Sequence, residues 1–119
     1  MDISKILADI KATPGFAENV GMILAHNGVV RGFSRADRKT VKAVEIKADQ
    51  EAIARLVEEF SQKPGIFKIT VEARSGTFYP GDDVMYIAVA GDIREHVKPV
   101  LADLLDQVKI QALTKKEIF

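Results

Sequence analysis

Residues Val84-Met85-Tyr86-Ile87-Ala88-Val89-Ala90 are apolar at odd and even positions alike. Side chains of a strand alternate between its two faces, so a strand with one wet face alternates in polarity. A run without alternation predicts a central strand covered on both sides. The rest of the chain must therefore supply cover for two faces. Two amphipathic stretches fit that need. Asp49 is placed to cap a helix whose apolar face is Ile53, Leu56, Val57 and Phe60, ended by Pro64-Gly65. A second helix over about 92–107 carries Val97, Val100, Leu101, Leu104, Leu105 and Val108 at spacings of three and four.

The remaining elements are shorter. Ile3, Ile6, Leu7 and Ile10 predict a first helix over 3–11, stopped by Thr13-Pro14-Gly15. Residues 20–31 are apolar with β-branched members and read as a strand; Asn27-Gly28 could instead form a two-residue hairpin turn. Residues 32–40 are polar and basic and read as a loop, with a strand from Val41 to Lys47. Phe67, Ile69 and Val71 alternate with Lys68, Thr70 and Glu72, as in a half-buried strand. Pro80-Gly81 suits the two centre positions of a type II turn and predicts a hairpin there. The tail from Ile110 reads as extended. The order α-β-β-α-β-β-α-tail is that of an α+β fold. At 119 residues, one domain over 1–119 is expected.

Composition excludes more than it selects. Formal net charge is zero, which argues against a general nucleic-acid binder but leaves room for a local cationic cluster. The chain has no cysteine, hence no disulfide, thiolate chemistry or Cys-based zinc site. Its two histidines, His26 and His96, are far apart in sequence, so no metal is expected. His26 falls inside a strand and reads first as a packed or hydrogen-bonded residue. No apolar run approaches the roughly 20 residues of a membrane span. The start Met1-Asp2-Ile3-Ser4-Lys5 lacks the form of a signal peptide. A soluble cytoplasmic protein is the expectation.

Chemistry rests on cations at the ends of elements. Arg31 follows a strand and opens the basic loop with Arg35, Arg38 and Lys39. Arg94 lies in the first turn of the last helix, where the helix dipole disfavours a cation. Lys109, Lys115 and Lys116 lie at or beyond that helix's end. Each group has a plain reading: a solvated loop, a chance placement, a helix-stabilising lysine and a basic surface tail. The functional reading is that Arg31, Arg94, Lys109 and Lys115 line one pocket for a phosphate or carboxylate ligand. Arginine offers such groups a bidentate fork and lysine a point charge. A lysine crowded by other cations loses its proton more easily and can serve as acid, base or nucleophile.

From Gly21 to Glu117 the chain resembles the large, catalytic subunit of molybdopterin synthase. Gly21 through Gly28-Val29-Val30-Arg31 fits the family's Gly, apolar stretch and Gly-x-Val-Arg. Arg74-x-Gly76 and Pro80-Gly81-Asp82 fit its next strand and turn. Arg94 fits the arginine of its His-Arg pair, Asp106-x-Val108-Lys109 its Asp-x-Leu-Lys, and Thr114-Lys115-Lys116-Glu117 its Trp-Lys-Lys-Glu. The chain departs from the family in several places: the histidine is Ile93, the tryptophan is Thr114, one position and a proline are missing between Lys109 and Lys115, and Lys47-Ala48-Asp49 stands where the family has an acidic-aromatic patch.

The resemblance implies an α/β-hammerhead fold, mostly antiparallel, with two main helices and a short N-terminal one. It implies a homodimer, within a heterotetramer, whose partner is a small ubiquitin-like subunit ending in a glycine thiocarboxylate. Sulfur from that terminus passes to cyclic pyranopterin monophosphate and makes molybdopterin, with no cofactor of the enzyme's own. By carry-over, Lys109 meets the donor terminus and Lys115 joins it as a catalytic residue, while Arg31, Arg94 and Lys116 hold substrate. The alternative is a catalytically idle relative that binds a ubiquitin-like partner or an anionic pterin.

Overall fold

The computed structural model of the chain describes residues 2–119. Helix α1 spans Ile3–Lys11 and is followed by the single turn α2, Phe16–Asn19. Strand β1 runs Met22–Val29 and β2 Ala43–Ala48; α3 is Gln50–Ser61. Then come β3 Ile66–Ala73, β4 Gly76–Phe78, β5 Asp83–Gly91, α4 Arg94–Gln111 and β6 Leu113–Ile118. The strands form two antiparallel three-stranded sheets, ordered β1-β5-β3 and β4-β2-β6. This is the expected α+β, largely antiparallel architecture.

β5 is the central strand its composition predicts. Tyr86, Ala88 and Ala90 face α1 and pack with Ile6 and Ile10. Met85, Ile87 and Val89 face the other way, into a core built with Ile53, Leu56 and Phe60 of α3 and Val97, Leu101, Leu104 and Val108 of α4. Residues 85–91 are all buried. Asn27 and Gly28 lie within β1, paired with Tyr86 and Met85, so no hairpin forms there. The pairing partner β5 supplies hydrogen bonds that a two-residue turn would forfeit.

Local signals set the helix ends. The Asp2 carboxylate accepts from the Ser4 amide at 2.9 Å and starts α1. Asp49 does the same for α3, accepting from the Ala52 amide at 3.1 Å. α4 starts at Ile93 with no side-chain cap and runs four residues past the expected end, with Pro99 inside its second turn. Its length carries it from the β1-β5-β3 sheet to the foot of the second sheet, where Ala112 accepts from the Asp49 amide at 2.8 Å. The tail is then extended, as expected, because β6 pairs along the whole of β2.

The Pro80-Gly81 turn forms as predicted but does not close a simple hairpin. The Tyr79 carbonyl accepts from the Asp82 amide at 2.9 Å, and Gly81 has φ +94°. The strands it joins belong to different sheets: β4 pairs with β2, and β5 with β1 and β3. The turn is thus a junction between sheets. It also grips the end of β1: Val30 donates to the Asp82 carbonyl at 3.0 Å and accepts from the Gly81 amide at 2.9 Å. No described helix is long and apolar enough to cross a membrane.

Candidate functional site

Between the two sheets lies a cavity of about 620 Å³. Its walls come from β1, β2, β5, β6, the end of α4 and the loop after β1. Apolar lining is given by Val44, Ile46, Val84, Met85 and Leu113. The charged lining is Arg31, Arg35, Lys109 and Lys115, with His26 beside them and no carboxylate. Four cations on a partly apolar wall make a site for anions, because low-dielectric walls strengthen their field.

Each cation is positioned by an identifiable piece of backbone. Arg31 follows Val30, whose amide and carbonyl are both bound by the Pro80-Gly81 turn. Its guanidinium sits 5.6 Å from the centre of the Phe33 ring, and that of Arg38 sits 4.2 Å from the same ring. Arg35 projects from a loop closed by Ser34 donating to Lys39 at 2.8 Å, Arg38 to Ser34 at 2.8 Å and Val41 to Gly32 at 3.0 Å. Lys109 is in the last turn of α4, where the helix dipole favours a cation. Lys115 stands opposite Ile46 on β6, on the same side as Leu113.

The charges in the cavity act on one another. Partial burial lowers the proton affinity of Lys115; Glu117 opposes that, and Arg31 and Lys109 add to it. Burial also pushes the imidazole of His26 below its ordinary value, helped by the charge of Lys109. A cavity with a cationic lining and a lysine of lowered proton affinity has the chemistry to seat an anion and move a proton.

Two of the five expected residues lie elsewhere in the chain. Arg94 starts α4 and lines a shallow depression with Gly21, Met22, Asp92, Ile93 and Glu95. Fifteen residues of helix separate it from Lys109, about 22 Å at 1.5 Å per residue. It is exposed and makes a loose pair with Glu95 at 3.4 Å. Lys116 is paired opposite Glu45 and, by strand alternation, points away from the cavity that Lys115 lines. Two residues not expected there do line it, Arg35 and His26. The parity of β1 carried the signal for His26, since Met22, Leu24 and His26 share one face and the first two join the α4-side core.

The sequence pattern of the MoaE protein family matches residues 1–111. The chain belongs to the MoaE family. That membership agrees with the molybdopterin synthase large-subunit motifs and puts the chain in molybdenum cofactor biosynthesis. Solved structures share the MoaE fold. Molybdopterin cofactor biosynthesis protein E from Burkholderia multivorans ATCC 17616 superposes with a TM-score of 0.79 at 22% identity, over 100% of this chain and 77% of that one. Molybdopterin synthase from Staphylococcus aureus gives 0.72 at 21% identity, over 84% and 75%. A complex of subunits 1 and 2 of the molybdopterin-converting factor from Helicobacter pylori 26695 gives 0.72 at 13% identity, over 98% and 78%. A comparison with curated proteins finds no match. The hammerhead fold expected from the motifs is therefore the fold observed.

Proposed function

We propose that the chain is the large subunit of a molybdopterin synthase, moving sulfur from a thiocarboxylated small subunit to cyclic pyranopterin monophosphate. The observation that carries this reading is the convergence of Arg31, Lys109 and Lys115 on one cavity. Both reactants are anions, one a phosphate and one a thiocarboxylate. Bringing them together costs Coulomb repulsion unless cations stand between them. Arg31 fits the phosphate, which its planar fork can hold bidentately. Lys109 fits the donor terminus, stabilising negative charge as sulfur leaves. Lys115, with its proton loosened, fits the role of acid, base or nucleophile.

Arg94 stands outside this cavity, and its proposed substrate contact needs a second copy that packs its helix start against the site. That is compatible with the homodimer, and with the heterotetramer formed when each copy takes a small subunit. Nothing in the cavity supports a substrate contact for Lys116.

Reconstitution tests the reading. The protein is mixed with thiocarboxylated small subunit and cyclic pyranopterin monophosphate, and molybdopterin is assayed. Product is expected, and Lys109→Ala should lower its rate by at least about 100-fold, the scale of one lost anion-stabilising donor. A stable complex with the small subunit but no product would instead favour the idle relative, in keeping with Ile93 and Thr114 at two altered motif positions.

A further inference from the structure

We infer that His26 is a catalytic residue of this cavity, the proton acceptor for the water that releases the donor once its sulfur is bonded to substrate. The inference rests on the sulfur-transfer reading above and adds to it a group that the motifs do not contain. The family's motif histidine is Ile93 in this chain, at the opposite end of β1 from the cavity.

His26 is set where the core ends and the cavity begins. Met22 and Leu24 precede it on the same face of β1 and pack into the core. Gly28 follows it on that face and has no side chain. A Cβ there would stand 3.6 Å from Nε2 of His26, so the bare glycine leaves space beside the ring. His96 has its Nδ1 engaged by Asp92 at 2.8 Å. Among the described residues no such partner holds His26. Its side chain lines the cavity.

The surroundings make it a base at neutral pH. The charged groups facing it are Arg31 and Arg35 from the β1 end and its loop, Lys109 from α4 and Lys115 from β6. All are cations, and the charge of Lys109 disfavours an imidazolium. The neighbouring wall of β5 is apolar there, Val84 and Met85. Burial and Lys109 both lower its proton affinity from an ordinary 6.5. Lys115 is lowered too, but from 10.5. The imidazole is the group already neutral near pH 7, and so free to accept a proton there.

A thiocarboxylate that has bonded its sulfur to carbon is a thioester. In the release step, water oxygen bonds to the acyl carbon and the carbon–sulfur bond breaks. The electron pair stays on sulfur as a thiolate. One proton of the water passes to His26 and the other leaves to solvent as the new carboxylic acid ionises. Nothing is oxidised or reduced. Lys109 and Lys115 balance the oxyanion and the thiolate.

The test is single-turnover sulfur transfer by the reconstituted complex with native protein and His26→Gln, from pH 5.5 to 8.5. His26→Gln should be about 100- to 10,000-fold slower, with the thioester between small subunit and substrate accumulating in mass spectra. Its substrate KM should stay near native, and added imidazole should restore rate to His26→Ala. In the native protein the rate should fall on the acid side with the same midpoint that NMR finds for the His26 ring, a measurement that needs no variant. Rates for His26→Gln within threefold of native, or an acid limb that does not follow the His26 titration, overturn the inference while leaving sulfur transfer standing. A native protein that makes no product overturns sulfur transfer, and this inference with it.

Discussion

Arg31, at the end of β1, and Lys115, on β6, line the same cavity from elements that belong to different sheets. Burial is the main reason that Lys115 holds its proton loosely; Glu117 works against it, and Arg31 and then Lys109 reinforce it. Arg31→Ala should therefore raise the pKa of Lys115, read from the Nζ resonance or from the pH dependence of its acylation. The same change should raise substrate KM by about 10- to 100-fold, the size of one lost charge-assisted hydrogen bond. A Lys115 titration that does not move would show that the two groups do not share a field.

Two glycines separate backbone strain from steric contact. Gly65 has φ +78° and Gly81 φ +94°, both in the left-handed region. A Cβ on Gly81 would meet nothing within 4 Å. One on Gly65 would run into Nδ1 of His96 and Oδ1 of Asp92, which are bonded to each other at 2.8 Å. Gly81→Ala should cost about 1–2 kcal/mol, the backbone term alone. Gly65→Ala should cost more, because it must also part Asp92 from His96. Urea unfolding of the two variants decides it, and equal losses would mean that the Asp92–His96 contact yields freely.

What could be read from the residues was what repeats. β5 is apolar at every position from Val84 to Ala90, α3 and α4 carry unbroken stripes, and α1 has a clean helical spacing; each signal extends over several turns or pleats. β4 is three residues long and α2 one turn, too short for any period to show. β4 also owes its existence to β2, far off in sequence, so the Pro80-Gly81 turn looked like a hairpin and proved to be a passage between sheets. The site followed the same rule. Arg31, Lys109 and Lys115 were found because motifs mark them. His26 and Arg35 were not, because only the folded arrangement brings their side chains to the cavity. Arg94 shows the reverse, a motif residue that one chain alone does not bring to it.

The α4 stripe is open to a direct comparison. Leu104 is wholly buried against the β1-β5-β3 sheet, while its neighbour Leu105 is only half-buried. Leu104→Ala should cost about 2–5 kcal/mol, the loss of transfer energy plus an unfilled cavity. Leu105→Ala should cost clearly less, since the rim of the core can relax and part of that side chain is already wet. Chemical denaturation with unchanged m-values would give both numbers. Equal costs would mean that α4 is rotated from the orientation described.

The cavity should also leave a mark on stability. His26 has a folded-state pKa below its ordinary 6.5, through burial first and Lys109 second. On acidification the unfolded chain takes up this proton first, near pH 6.5, so the folded state loses stability as pH falls from there to the lowered value. Below that value both states are protonated and the loss is complete. Asp92 acts in a separate window. Its carboxyl is held below 3.8, chiefly by the bond to His96, so its contribution is present above that value and is lost as pH falls through the folded pKa. Unfolding free energy measured from pH 7.5 to 4.5 should thus decline for the native protein and decline less for His26→Gln, which carries no titrating ring. The two curves should differ in slope between pH 6.5 and the NMR midpoint of His26 and run parallel below it. Parallel curves throughout would mean that the imidazole is as free to charge in the cavity as in water.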